Sequence, residues 1–221
     1  MLEPVTRRAR STRGARHAFV DSAAGLSRIH RASLDVCVWR RTVDASLARW
    51  LDEVAKGSAL SIDERNLRAR DVKFDRWLGS LAASAEKQAF VDDLELVLAA
   101  AVRVNGDVPL RVQLSTIDSR KCPRFHIDNV GVRLLCTYAG AGTEWIPETA
   151  VDREHLRTCS ADHAPLRAGG AVEHLKRFDV VLMKGTAFPG NARFGAVHRS
   201  PDVRGAPRIV FTVDTQHPPT R

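Results

Sequence analysis

Asn105-Gly106-Asp107-Val108-Pro109-Leu110-Arg111-Val112-Gln113-Leu114-Ser115-Thr116 is the stretch on which the fold turns, because the hydrophobic period of the chain changes there. From Val108 the apolar positions alternate, Val108, Leu110, Val112 and Leu114, followed by Thr116, which is the period of a half-buried strand. Upstream the period is that of a helix. Trp39, Val43, Leu47, Trp50, Leu51 and Val54 recur every three to four residues and Gly57 stands where a helix should stop, which predicts an amphipathic helix over about 42–56. Ser61 with Glu64 has the form of a capping box opening a second helical stretch. Phe74, Trp77, Leu78 and Leu81, then Phe90, Val91, Leu94, Val97, Leu98 and Ala101, repeat the helical spacing, as core-packing positions do.

Downstream, strands are expected over 130–138, 178–184, about 194–198 and 208–213, with Gly185, Pro189, Gly190, Pro201, Gly205 and Pro207 as punctuation. Several short strands between turn signals suggest a sandwich or barrel, of which a double-stranded jelly roll is one closure. The fold class expected is therefore α+β, with a helical N-terminal half packed on a C-terminal, jelly-roll, cupin-like core. A basic flexible head over 1–34 would precede one domain over 35–221, made of helical support (35–105) and a metal-binding core (106–221).

The net charge of +8 is concentrated at one end: residues 1–31 hold seven Arg against Glu3 and Asp21, so five of the eight charges lie there. The remainder is near neutrality, and nucleic acid is not required as a partner. The Arg-rich, acid-poor head has the composition of a transit peptide or of a plain basic tail. No run approaches the roughly 18 apolar residues of a spanning helix, so no membrane association is expected. Cys37, Cys122, Cys136 and Cys159 show no paired spacing, which suits reduced thiols in a cytoplasmic protein.

Within the β half, His126-Ile127-Asp128, a later His198 and Arg208 ten residues beyond it argue together. Side chains two apart on a strand share a face, so the imidazole of His126 and the carboxylate of Asp128 can reach one ion. His198 completes a two-His-one-carboxylate face that leaves the opposite positions open, as non-haem Fe(II) oxygenases require. Arg208 offers a planar fork to a carboxylate, as the far end of 2-oxoglutarate would need. Of the eight His, only His126 has Asp at +2.

The sequence from Phe125-His126-Ile127-Asp128 through Arg133-Leu134-Leu135-Cys136-Thr137-Tyr138 and Gly142-Thr143-Glu144-Trp145 to His198-Arg199-Ser200-Pro201 resembles a bacterial family catalogued as domain of unknown function 1826. The strand Phe178-Asp179-Val180-Val181-Leu182-Met183-Lys184-Gly185 is similar to the one that precedes the distal His in double-stranded β-helix dioxygenases. The resemblance implies a bacterial, cytoplasmic protein, and an Fe(II)- and 2-oxoglutarate-dependent oxygenase acting on a small molecule or a protein. The family's association with zinc-homeostasis genes implies an alternative, a non-oxygenase protein holding Zn²⁺ or another divalent ion on the same triad. Some such dioxygenases carry a second co-substrate handle, a hydroxyl two residues after the Arg. That position here is Val210, so Tyr138 or Thr137 is expected to supply the missing hydrogen bond, with Thr212 the nearest hydroxyl on the strand. His155, His163 and His174, with Glu154, Cys159 and Asp162, lie in and beside a charged, Pro- and Gly-containing stretch (about 147–170) that reads as a lid, with a second metal site as the sharper alternative.

Overall fold

A computed structural model describes residues 14–158, 160–191, 194–203 and 205–215. Ten strands are described: β1 (His17–Val20), β2 (Val36–Trp39), β3 (Ser61–Leu67), β4 (Leu110–Ile117), β5 (Val132–Ala139), β6 (Glu144–Ile146), β7 (Glu173–His174), β8 (Val180–Lys184), β9 (Val197–Arg199) and β10 (Arg208–Thr215). Helices α1 (Ala45–Gly57), α2 (Phe74–Trp77) and α3 (Ala85–Asn105) lie among the early strands. Asp44 caps α1 by accepting from the Ser46 amide, and Ser84 caps α3 by accepting from Lys87. The chain leaves α3 through Gly106 at φ +75°, a left-handed conformation suited to glycine, and enters the alternating stretch that becomes β4.

The strands form a seven-stranded sheet, β1-β2-β8-β5-β10-β4-β3, and a three-stranded sheet, β7-β6-β9. Among the described strands only the β1–β2 pairing is parallel. The central strands are apolar on both faces and so serve two interiors. Val132, Leu134, Cys136 and Tyr138 of β5 and Ile209, Phe211 and Val213 of β10 pack with the helices, together with Phe90, Leu94 and Val97 of α3. Leu135 and Val210, from the opposite parity of the same strands, pack with Trp145 of the small sheet. The layers are helices, large sheet and small sheet.

Two expectations for the first half change. Ser61–Leu67 is a strand, not a helix: it pairs with β4 at the edge of the large sheet, and its solvated polar residues include Asp63, which the Arg111 fork on β4 holds through both carboxylate oxygens. Ser and Glu three apart serve an exposed edge as readily as a helix start. Of the head expected over 1–34, residues 1–13 lie outside the described residues, while in the rest β1 pairs with β2, and Leu26 and Ile29 in the 3-10 helix Ala23–His30 are fully buried. Among the described residues no helix is long and apolar enough to cross a membrane.

Candidate metal centre

His126, Asp128 and His198 converge: one ligand-capable atom from each lies within 4.8 Å of the others, and no other such group of His, Cys, Asp and Glu occurs among the described residues. The route differs from two residues on one strand. His126 makes an isolated antiparallel bridge with His198 of β9, each amide donating to the other's carbonyl at 3.0 Å, and Asp128 follows in a loop before β5. The backbone pairing brings the rings together, with centroids 4.6 Å apart.

Both rings are oriented by their own chain. His126 Nδ1 lies 3.0 Å from the Arg124 carbonyl and His198 Nδ1 lies 3.1 Å from the Ala196 carbonyl. A carbonyl only accepts, so each Nδ1 is the protonated nitrogen and each Nε2 presents a lone pair. Those Nε2 atoms face one carboxylate: His126 at 3.5 Å from Asp128 Oδ1, His198 at 3.1 Å from Asp128 Oδ2. Asp128 Oδ2 is buried and no hydrogen bond reaches it. That oxygen has an ion pair with Arg133, Nη1 2.7 Å away, but no hydrogen bond, and a buried carboxylate oxygen so placed beside two aimed lone pairs fits a divalent cation. Burial works to raise the Asp128 carboxyl, but His126, His198 and Arg133 outweigh it and hold the group well below the ordinary carboxylate range. The neighbouring Asp128 carboxylate raises His126 above the usual imidazole value, against burial.

The loop carrying Asp128 rests on backbone. Thr186 donates to the Asp128 carbonyl at 2.9 Å, and Gly185 donates to Gly131 at 3.0 Å. A Cβ at Gly185 would sit 2.5 Å from the Asp128 carbonyl oxygen, so only glycine permits this approach.

Arg208 begins β10 and is 1% exposed. Its Nε donates to the Ala141 carbonyl at 2.6 Å and its Nη2 to Thr143 Oγ1 at 3.1 Å and Thr137 Oγ1 at 3.3 Å. Among the described residues no carboxylate pairs with it. Burial pushes this guanidinium down to about 10, with Glu144 opposing, so it stays charged at neutral pH. His126, His198 and Arg208 line one cavity of about 220 Å³, with Thr143, Val210 and Cys122 also in its wall.

Of the two expected partners for a co-substrate, Thr137 faces Arg208 and Tyr138 does not. Tyr138 lies on the helix side of β5, fully buried, and donates to Asp93 Oδ2 of α3 at 2.6 Å. Adjacent strand residues point to opposite faces, so only one of the pair can face Arg208. Tyr138→Phe is therefore expected to lower stability by about 1–3 kcal/mol, for a hydrogen bond removed from a buried carboxylate. Co-substrate affinity should be unchanged; thermal denaturation read beside 2-oxoglutarate titration checks both halves.

Thr143 and Arg133 were not singled out from sequence. Thr143 reaches Arg208 from the turn before β6, and no periodicity marks such a contact. His155, His163 and His174 do not join a metal-ligating group among the described residues, and Cys159 lies outside them. The Cys136 thiol, pushed up to about 12 by burial, belongs to the core.

A family model described as "Protein of unknown function (DUF1826)" matches residues 20–214. No curated protein matches the sequence. Among solved structures, dioxygenase for auxin oxidation 1 from Arabidopsis thaliana, in its 2-oxoglutarate complex, is similar at 13% identity and TM-score 0.51, over 91% of this chain and 92% of that one. The rice dioxygenase for auxin oxidation (13% identity, TM-score 0.47, 89% and 78% covered) and a Pseudomonas putida prolyl-4-hydroxylase (12%, 0.45, 89% and 94%) are more distant. At such identity the first of these shows a shared fold.

Proposed function

From the premise that the chain belongs to the DUF1826 family, a family of unknown function, we propose that this member is an Fe(II)- and 2-oxoglutarate-dependent oxygenase, a hydroxylase in its simplest outcome. The observation that carries the reading is a buried guanidinium, without a carboxylate partner among the described residues, that lines the same cavity as His126 and His198, the two histidines grouped with Asp128 around one metal position. The fold shared with the Arabidopsis 2-oxoglutarate complex agrees with it.

His126 Nε2, His198 Nε2 and Asp128 would hold the iron. With 2-oxoglutarate and O₂, the iron supplies the oxidising power that hydroxylates a C–H bond while 2-oxoglutarate is decarboxylated to succinate. The chain contributes placement. Arg208, held by Ala141, Thr137 and Thr143, offers its remaining N–H groups to the distal carboxylate of the co-substrate. Thr137 and Thr143 take the part that a hydroxyl at Val210 would have played. Val210 and Leu135 give the cavity an apolar wall that limits water beside the ion.

A protein that only stored or delivered zinc would gain nothing from burying Arg208, because an unpaired buried charge opposes folding. Anaerobic addition of Fe(II) and 2-oxoglutarate separates the two readings. The oxygenase gives the visible metal-to-ligand charge-transfer absorption of chelated 2-oxoglutarate; stoichiometric metal binding without that absorption refutes it.

A further inference from the structure

The loop that carries Asp128 has no strand to fix it. His126 is held by its bridge to His198, and Thr186 grips the Asp128 backbone, but neither determines where the Asp128 carboxylate points. Arg133 stands beside that carboxylate, its Nη1 2.7 Å from Asp128 Oδ2. The contact is an ion pair without hydrogen-bond geometry, since Oδ2 has no hydrogen-bond donor.

Arg133 is itself immobilised. Its Nε and Nη2 donate to the two oxygens of Asp214, each at 2.7 Å, so two of its three nitrogens are spent on a planar fork. Asp214 is 2% exposed and lies directly opposite Arg133 where β10 pairs with β5. The guanidinium is thus braced by the two central strands of the large sheet. Its third nitrogen is left 2.7 Å from Asp128 Oδ2, as a fixed positive charge.

We propose that Arg133 is the positioning residue of the metal centre: braced by Asp214, it pins the Asp128 carboxylate within reach of both histidine Nε2 atoms, in place of a strand. The charges of Arg133 and Asp214 cancel, so the pair orients Asp128 without removing the net negative charge that a divalent ion needs beside two neutral imidazoles. Lysine could not do the same, because one ammonium cannot grip Asp214 with a planar fork and still hold a second positively charged nitrogen fixed beside Asp128.

This rests on the triad being a metal site, and the experiment keeps the two claims apart. Mn(II) and Co(II) affinities are measured by equilibrium dialysis on wild type, Arg133→Lys, the double variant Arg133→Met/Asp214→Asn and His126→Ala, with thermal denaturation of each metal-free protein. Arg133→Lys preserves the charge and removes the fork; the double variant removes the guanidinium together with Asp214, the 2% exposed carboxylate it grips, and the denaturation measurement reports whether the fold holds. Both are expected to fold and to bind metal 10–100-fold more weakly, the usual effect of losing a group that orients a ligand. The Co(II) d–d absorption should also change, which a change in fold stability alone would not produce. Wild-type affinity in either folded variant, with binding lost in His126→Ala, overturns the role of Arg133 and leaves the metal site standing. Wild-type affinity in His126→Ala overturns the metal site and this proposal with it.

Discussion

His126→Ala and Asp128→Ala are each expected to abolish stoichiometric metal binding while leaving the protein folded. Each removes one of three convergent ligand atoms, and the loss should exceed about 3 kcal/mol, on the order of 100-fold or more in affinity. The fold should tolerate both. His126 is partly exposed in a loop, so the stability effect belongs with surface substitutions, about 0.5–1 kcal/mol. Asp128→Ala leaves Arg133 its fork on Asp214, so no buried cation is abandoned. Metal content after reconstitution and circular dichroism decide the matter: unchanged metal content in either variant contradicts a centre at these residues.

The second large effect divides stability from function. Arg208→Met is expected to weaken 2-oxoglutarate binding by about 2–5 kcal/mol, roughly 30- to 4,000-fold, because a buried carboxylate would lose its charged partner. The same substitution should raise the stability of the protein without co-substrate. Desolvation disfavours the charged form of Arg208 strongly enough to pull it down to about 10, and Glu144 recovers only part of this. Folded pKa lies below unfolded pKa, so at neutral pH the protonated guanidinium opposes folding, and methionine of similar length removes that opposition. A higher melting temperature with lost charge-transfer absorption fits a residue kept for its ligand; a lower melting temperature with intact binding would mean that Arg208 serves the fold.

Much of the centre was legible because its signals are local. His126 and Asp128 sit two apart, and Arg208 opens a strand whose alternation places it opposite the core-facing Ile209. The choice between Thr137 and Tyr138 was not legible. The central strand β5 is buried on both faces, so its pattern is nearly continuous and does not reveal which parity looks at the helices. Arg133 was invisible for a related reason: its meaning depends on Asp214, more than 80 positions on, through a register that only sheet pairing establishes. In the first half, the helical spacing of α1 and α3 was plain, whereas β1, β2 and β3 were missed because they are short or solvated edges.

The pairing of His126 with His198 has a further consequence. These two histidines hang on the small sheet, while Asp128 is braced through Arg133 and Asp214 to the large one. An ion shared by all three residues would act as a rivet between the layers and set the width of the gap at its own depth. Arg208 waits farther along the same gap, at the opposite end of β10 from Asp214. The order of loading would then be mechanical as well as chemical: metal first, to hold the walls at their working separation, and the organic acid second, into a slot whose dimensions the metal has already decided.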